Sequence, residues 1–468
     1  MSAGMVVCSH PLAAQAGAAV LKNGGNAVDA AIATALALCV VDPANGGFGG
    51  YGGYMTVQMA PGETPMVVDF NTRMPEGWGG RALAGASRCG PFVNGEHSIA
   101  LPMVPSGLAQ AHRQFASMPM ADLAKGAIQL ARDGFLIDAN LHKALRWMER
   151  RLASVGDSFC EVFGQNGHLC QQGDGLVQKD LAETLVDFAA EPEGFYSGAV
   201  FRAIAQYMGQ KEMLGWSEDM PIAPSFVVPA EQWKGPGFSV AGPSLDESGY
   251  GIFLPALVQY AESFKGGALV WEASAFVAAL QTAWQWRAAN TESPESVTKH
   301  TTHFCVSDAR GGLVSCTFTH GPLWFGSGVL VPGTGVVMNC GTNLARYSKP
   351  HGRWLAINNL TPVLVCTESG DRYAMGAPGG SRIPAIVLKL LIDSVVPGGE
   401  LASAMDRPRV SVSPQGEVEA EPEANWPGPH RVLGPEEFYG PASAIGLMGD
   451  GRAVVAVDRR CASGFAQA

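Results

Sequence analysis

Thr301 opens the segment Thr301-Thr302-His303-Phe304-Cys305-Val306-Ser307-Asp308, and no other residue has so much chemistry within reach. A hydroxyl is a weak nucleophile until a base stands beside it. Breaking the peptide bond between His300 and Thr301 would supply that base, because Thr301 would then carry a free α-amine close to its own side-chain oxygen. An unperturbed α-amine titrates at about 7.7–8.0, so much of it can accept a proton near neutrality. One residue would serve as nucleophile and general base, the N-terminal-nucleophile arrangement. Residues 290–300 read Asn-Thr-Glu-Ser-Pro-Glu-Ser-Val-Thr-Lys-His. Polar and interrupted by Pro294, they fit an exposed connector.

The elements around Thr301 must place it. Residues 301–308 alternate as a strand, Ala309-Arg310-Gly311-Gly312 reads as a turn, and Leu313 to Thr319 as the return strand. Counting back across that turn pairs Asp308 with Leu313 and sets Thr301 opposite about residue 320, uncertain by one. Thr319 then falls beside Thr301, where its hydroxyl can orient the nucleophile. Taken alone, the hairpin fits a plainer account better: threonines are ordinary strand formers on a half-exposed surface.

Other segments offer further groups. Gly379-Gly380-Ser381 leads into an apolar helix from Ile383 to Val395. With Ser381 as its cap, backbone N–H groups at the start of this helix would point outward, and two aimed at one oxygen make an oxyanion hole. A tight strand-to-helix turn would also need these glycines. The run from Asn45 to Tyr54 is glycine-rich but lacks Gly-Lys-Ser/Thr, and it runs from helix to strand. Close backbone packing is expected there, not phosphate binding. His300, His303 and His320 do not make a metal set, since residues three apart on a strand face opposite ways and no carboxylate pair completes the ligands.

Helices are expected from Pro11 to Leu21, from Asn26 as cap to about Val40, through much of 107–155 and 177–210, and from Ile252 to Ser263. Strands are expected at 54–59 and 65–70, and after the hairpin near 329–331, 335–338, 362–366 and 373–375, with short strands and turns filling the rest. Segment 270–286 is apolar and rich in Trp. Helices at both ends of the first half with strands between fit sheets covered by helices. The net charge of −11, with no basic run, argues against a nucleic-acid binder. The longest apolar run, Ala30 to Val41, is too short to span a membrane and reads as a buried helix. The ten cysteines are scattered with no C-x-x-C pair, which fits reduced thiols in a cytoplasmic protein. The first ten residues lack a basic stretch followed by an apolar one and do not read as a signal peptide.

These pieces occur together in one family. Ser9-His10-Pro11-Leu12-Ala13, Gly24-Gly25-Asn26-Ala27-Val28-Asp29-Ala30-Ala31, the glycine run, Pro243-Ser244 with Ser248-Gly249, Thr301-Thr302-His303, Gly326-Ser327-Gly328, Pro332-Gly333-Thr334-Gly335 and Pro378-Gly379-Gly380-Ser381-Arg382 follow in order. In this the chain resembles the γ-glutamyltransferases, or glutathione hydrolases, over nearly its full length. The resemblance implies an α+β fold, a four-layer αββα N-terminal-nucleophile hydrolase sandwich. It implies self-cleavage before Thr301 into a large segment (1–300) and a small one (301–468), intertwined as one domain. Thr301 would be the nucleophile, its amine the base, Thr319 the supporting hydroxyl, and Gly379 and Gly380 the oxyanion donors. No cofactor is implied. The partners would be a small-molecule substrate and the two pieces of one precursor, with higher assembly left open.

The substrate-binding positions depart from the family pattern. Asn71 follows Asp69-Phe70 where an arginine is usual, and Arg73 stands two residues on. Leu344 replaces the carboxylate for the substrate's α-ammonium, Asn358 and Asn359 replace paired serines, and His320-Gly321-Pro322 replaces an asparagine. A buried amino-acid head group needs a partner for each charge. The expected function is therefore an autoprocessed amidohydrolase or acyltransferase acting on a small amide that is not a standard γ-glutamyl compound, in the manner of relatives that act on β-lactam side chains or in specialised metabolism. Asn71, Arg73, His320, Asn358 and Asn359 are the candidate substrate contacts. Two alternatives stand beside it: a true glutathione hydrolase with a rearranged pocket, and a non-catalytic binding protein that keeps the fold.

Overall fold

The computed structural model describes residues 4–73, 88–154, 157–211, 213, 216, 224–264, 269–292, 300–434, 440–460 and 463–468. Most of the expected connector before Thr301 (293–299) and Cys461 lie outside the described residues.

Among the described residues, two large antiparallel sheets pack face to face. The first has seven strands, in the spatial order Phe226–Pro229, Met66–Asp69, Gly52–Gln58, Leu313–Thr319, Thr302–Ser307, Met5–Cys8 and Gly464–Gln467. The second has six, in the order Glu231–Gly235, Phe238–Gly242, Val363–Thr367, Arg372–Gly376, Ser443–Leu447 and Ala453–Val457. Met5, Val7, Cys305 and Leu313 of the first sheet meet Leu364, Ala374, Ile445 and Leu447 of the second in one apolar cluster. Alternate residues of the hairpin, Phe304, Val306, Val314 and Phe318, face the other way into a cluster with the helices Pro11–Lys22 and Ala27–Val41. Helices Tyr250–Glu262, Ala273–Asn290 and Ile383–Val395 cover the far side of the second sheet. The result is helix, sheet, sheet, helix, the expected α+β sandwich.

This layering explains the sequence pattern. A strand covered on both faces loses polar alternation, and every residue of Thr302–Ser307 and Leu313–Thr319 is buried. Helix Ala27–Val41 is likewise buried at all fifteen positions, so it has no polar face. Its start is a reciprocal cap: the Asn26 side chain accepts from the N–H of Val28 and Asp29 at 2.8 and 2.9 Å, and the Asp29 carboxylate accepts from Asn26 N at 2.7 Å. Asp42-Pro43 ends it.

Three expectations are corrected. Ser307, not Asp308, pairs with Leu313, so the hairpin register is one residue off the count. Asp308 belongs to the turn, where its carboxylate accepts from the N–H groups of Ala27, Arg310 and Gly312 at 2.8–2.9 Å. Ser381 does not cap helix Ile383–Val395, because one 3-10 turn, Gly380–Arg382, intervenes and Arg382 takes the cap position. Segment 270–286 is a helix from Ala273 to Asn290, and Leu401–Asp406 adds a short one.

Candidate active site

Odd-numbered residues of the hairpin point between the two sheets, so Thr301, His303, Thr317 and Thr319 share one face. The ladder runs to Thr302 opposite Phe318, and one step further sets Thr301 across from Thr319. Thr319 is the last residue of its strand and pairs with Gly52 on the other side. Gly52 has φ +140°, and a Cβ there would lie 1.9 Å from the Phe70 carbonyl oxygen. Only glycine lets the chain pass this point.

The carbonyl of His300, just before Thr301, is gripped twice. Thr301 Oγ1 donates to the His300 oxygen. Thr319 Oγ1 donates to the same oxygen at 3.1 Å and accepts from Gly321 N at 2.9 Å. The His300 ring stacks on Trp324 with centroids 4.3 Å apart, and Trp324 meets Trp147 edge-on. Thr301 is only 4% exposed.

Two spaces meet at Thr301. A cavity of about 760 Å³ is lined by His300, Thr301, Trp147, Trp324, Asp42 and Pro378, among others. A narrow crevice of about 20 Å³ is bounded by Thr301, Thr319, Gly380, Leu344, Asn358 and Asn359. Among the described residues, no backbone acceptor takes the N–H of Gly379 or Gly380. Positive φ at both, +134° and +61°, gives this turn its shape. The crevice therefore brings together two threonine hydroxyls and an N–H that no backbone acceptor takes among the described residues, groups of the kind an acyl transfer can use.

The five expected substrate contacts divide. Asn358 and Asn359 border the crevice. Asn358 Nδ2 donates to Tyr54 and to Asn71 Oδ1 at 3.3 and 3.2 Å, and Asn359 Oδ1 accepts from Arg287 at 3.2 Å. Asn71 sits one layer behind, donating to the Ala356 carbonyl at 2.7 Å and to Glu247 Oε2 at 3.2 Å. Arg73 forms ion pairs with Asp69 at 3.2 Å and with Glu247, and lies over the Phe226 ring. His320 packs under Gly47, where a Cβ would lie 2.5 Å from its Nε2. Burial pushes its pKa down to about 3, so the ring is neutral and does not border the crevice.

Two groups went unassigned in the sequence. Glu247 falls among three residues, Leu245-Asp246-Glu247, that part Ser244 from Ser248, and this widened spacing was its signal. Asp42 closes helix Ala27–Val41 and lines the large cavity, accepting from Ser9 Oγ at 2.9 Å and Asn45 Nδ2 at 2.8 Å. Burial raises its pKa to about 7. The negative helix terminus beside it acts in the same direction. His303 spends its ring on Thr317 Oγ1 at 2.8 Å and Cys305 Sγ at 3.2 Å. No group of three or more His, Cys, Asp or Glu is placed to hold a metal ion among the described residues. No helix among them is long and apolar enough to cross a membrane.

A family profile described as Gamma-glutamyltranspeptidase matches residues 13–220 and 269–428. The chain is 29% identical to "Acylase ACY 1 proenzyme" of Pseudomonas sp. (strain V22), covering 87% of this chain and 82% of that one. It is 27% identical to "Glutathione hydrolase proenzyme" of Bacillus subtilis (strain 168), covering 87% and 80%. The crystal structure of cephalosporin acylase from Bacillus halodurans superposes with a TM-score of 0.82 at 21% identity over 99% of this chain and 96% of that one, which shows the shared fold.

Proposed function

We propose a function from one settled premise: the chain belongs to the gamma-glutamyltranspeptidase family and is an N-terminal-nucleophile hydrolase or acyltransferase. In our reading it cuts itself before Thr301 and then uses Thr301 to hydrolyse or transfer the acyl group of a small amide. The observation that carries this is the His300 carbonyl held between the hydroxyls of Thr301 and Thr319. Both relatives named above are proenzymes, which supports a processed precursor here. A non-catalytic role is set aside by the family assignment.

Self-cleavage begins when Thr301 Oγ attacks the His300 carbonyl carbon. The new C–O bond forms, the C–N bond breaks, and the departing nitrogen takes a proton, leaving an ester on Thr301. Thr319 Oγ donates to the carbonyl oxygen as it gains charge. Water then cleaves the ester and frees the Thr301 amine. In turnover that amine takes the hydroxyl proton as Oγ attacks the substrate carbonyl, and the N–H groups of Gly379 and Gly380 face the oxyanion. The leaving amine takes the proton back, and water or another amine accepts the acyl group.

The substrate we favour has an uncharged acyl group. Leu344 at the crevice cannot pair with an ammonium, Arg73 already holds two carboxylates, and Asn358 and Asn359 offer neutral amides. The acylase relative supports this; the glutathione hydrolase relative and the presence of Arg73 support the γ-glutamyl alternative. A denaturing gel and terminal sequencing test the cleavage. The cut predicts fragments of about 31 and 18 kDa from a 49.0 kDa chain, the smaller beginning Thr-Thr-His-Phe. Full activity from a chain that stays whole would overturn the proposal. Robust release of p-nitroaniline from γ-glutamyl-p-nitroanilide would favour the alternative.

A further inference from the structure

Two hydrogen bonds behind the wall of the crevice beside Thr301 stands a carboxylate that the protein itself supplies. Asn358 borders the crevice and hands its amide to Asn71 at 3.2 Å, and Asn71 hands its own to Glu247 Oε2 at 3.2 Å. The same carboxylate pairs with Arg73. Glu247 is not a loose surface side chain: it is 9% exposed, and its carbonyl accepts from Asn358 N at 2.9 Å. The next residue, Ser248, gives its carbonyl to the buried Arg287, which also holds Asn359. The segment carrying Glu247 is thus bonded directly to the crevice wall.

We propose that Glu247 occupies the Arg73 guanidinium in the place a substrate carboxylate would take, so that the site selects amides whose acyl chain ends without charge. The proposal rests on the reading of Thr301 as nucleophile. Arg73 supplies one positive charge, and Asp69 and Glu247 supply two negative ones. A third carboxylate at Arg73 would meet the two already paired with that guanidinium, and it would have to displace Glu247 from a part-buried, charge-assisted pair. An uncharged chain end meets the amides of Asn358 and Asn359 beside the apolar Leu344 and Ile383. Removing the Glu247 charge should therefore open Arg73 to an acidic acyl chain.

The test compares pentanoyl- and glutaryl-p-nitroanilide, which differ by one distal carboxylate, on the processed protein. The wild type should favour the pentanoyl compound. In Glu247→Gln and Glu247→Ala the ratio of kcat/KM should move toward the glutaryl compound by about tenfold or more, and adding Arg73→Met should reverse the gain. Titration calorimetry with free glutarate and free pentanoate reads the same seat without turnover. Glutarate should bind the wild type no better than pentanoate, and bind both Glu247 variants about tenfold more tightly than it binds the wild type. A wild type that prefers the glutaryl compound or glutarate overturns the proposal, as does failure of both variants to gain glutarate affinity. Failure of the Thr301 reading looks different: no anilide turns over, while the calorimetric preference stands.

Discussion

At the scale of single residues, the site depends on two hydroxyls and one carbonyl. In the proposed mechanism, replacing Thr301 by Ala removes nucleophile and future base together, so both the cut and all turnover should vanish on a gel and in an amidase assay. Thr319 donates to the His300 carbonyl oxygen, which would gain charge in the proposed self-cleavage. Loss of one such donor typically slows reaction by about 10²–10³-fold. Thr319→Val, which keeps the shape, should slow appearance of the two fragments by about 10²-fold in a timed gel, and Thr319→Ser should restore most of the rate. That Thr301 and Thr319 lie side by side was legible in the sequence to within one residue, because a hairpin places residues by counting. Glu247 was not, because its role arises where a segment near 247 meets one near 71, some 176 positions away. Widened motif spacing marks such a residue without saying what it touches.

At the scale of elements, the hairpin turn sets the register on which the threonine pair depends. The Asp308 carboxylate holds two N–H groups of its own turn and one at the start of helix Ala27–Val41. Asp308→Ala would leave three donors unpaired in a site where Asp308 is 3% exposed. The expected loss is about 2–4 kcal/mol, read as a lower midpoint in denaturant unfolding. Cleavage should also slow, since a slip of the strands would part Thr301 from Thr319. Counting placed this register one residue out, because Asp308 has a strand-like position but serves as a turn acceptor. Helix Ile383–Val395 was read to the residue, its apolar run being bounded by Gly379-Gly380 before it and Pro397-Gly398-Gly399 after it. Helix Ala273–Asn290 was not, because its tryptophans fall on both sides: Trp284 is buried and Trp286 is 53% exposed. The strands at the two chain ends, Met5–Cys8 and Gly464–Gln467, are four residues each, too short to show a period.

At the scale of the whole molecule, two buried histidines set an acid limit. Burial holds the pKa of both His303 and His320 near 3, against an unfolded value of 6.5. The unfolded chain therefore binds these protons first. Stability from the neutral rings is complete above about pH 6.5 and is lost as pH falls toward 3. Asp42 acts in the opposite sense, because its folded value of about 7 lies above its unfolded 3.8. Its contribution is complete below about pH 3.8 and is lost as pH rises through 7. The melting temperature should fall between pH 6.5 and pH 4, and His303→Asn should make that fall shallower. Asp42→Asn should remove the decline on the alkaline side, from pH 5 to pH 8. The four-layer architecture was legible from the order of helical and strand patterns together with the family resemblance, whereas these buried charges depend on packing that no local pattern encodes.

The strand order of the larger sheet has a last consequence. Across it, three strands come from before residue 301, then two from after, then one from before, and the last from after. Once severed, the two polypeptides would be woven through each other like the fingers of clasped hands. They could not part without dismantling the sheet, so specific activity should hold on extreme dilution, and pieces synthesised separately should gain function only if they fold in each other's presence.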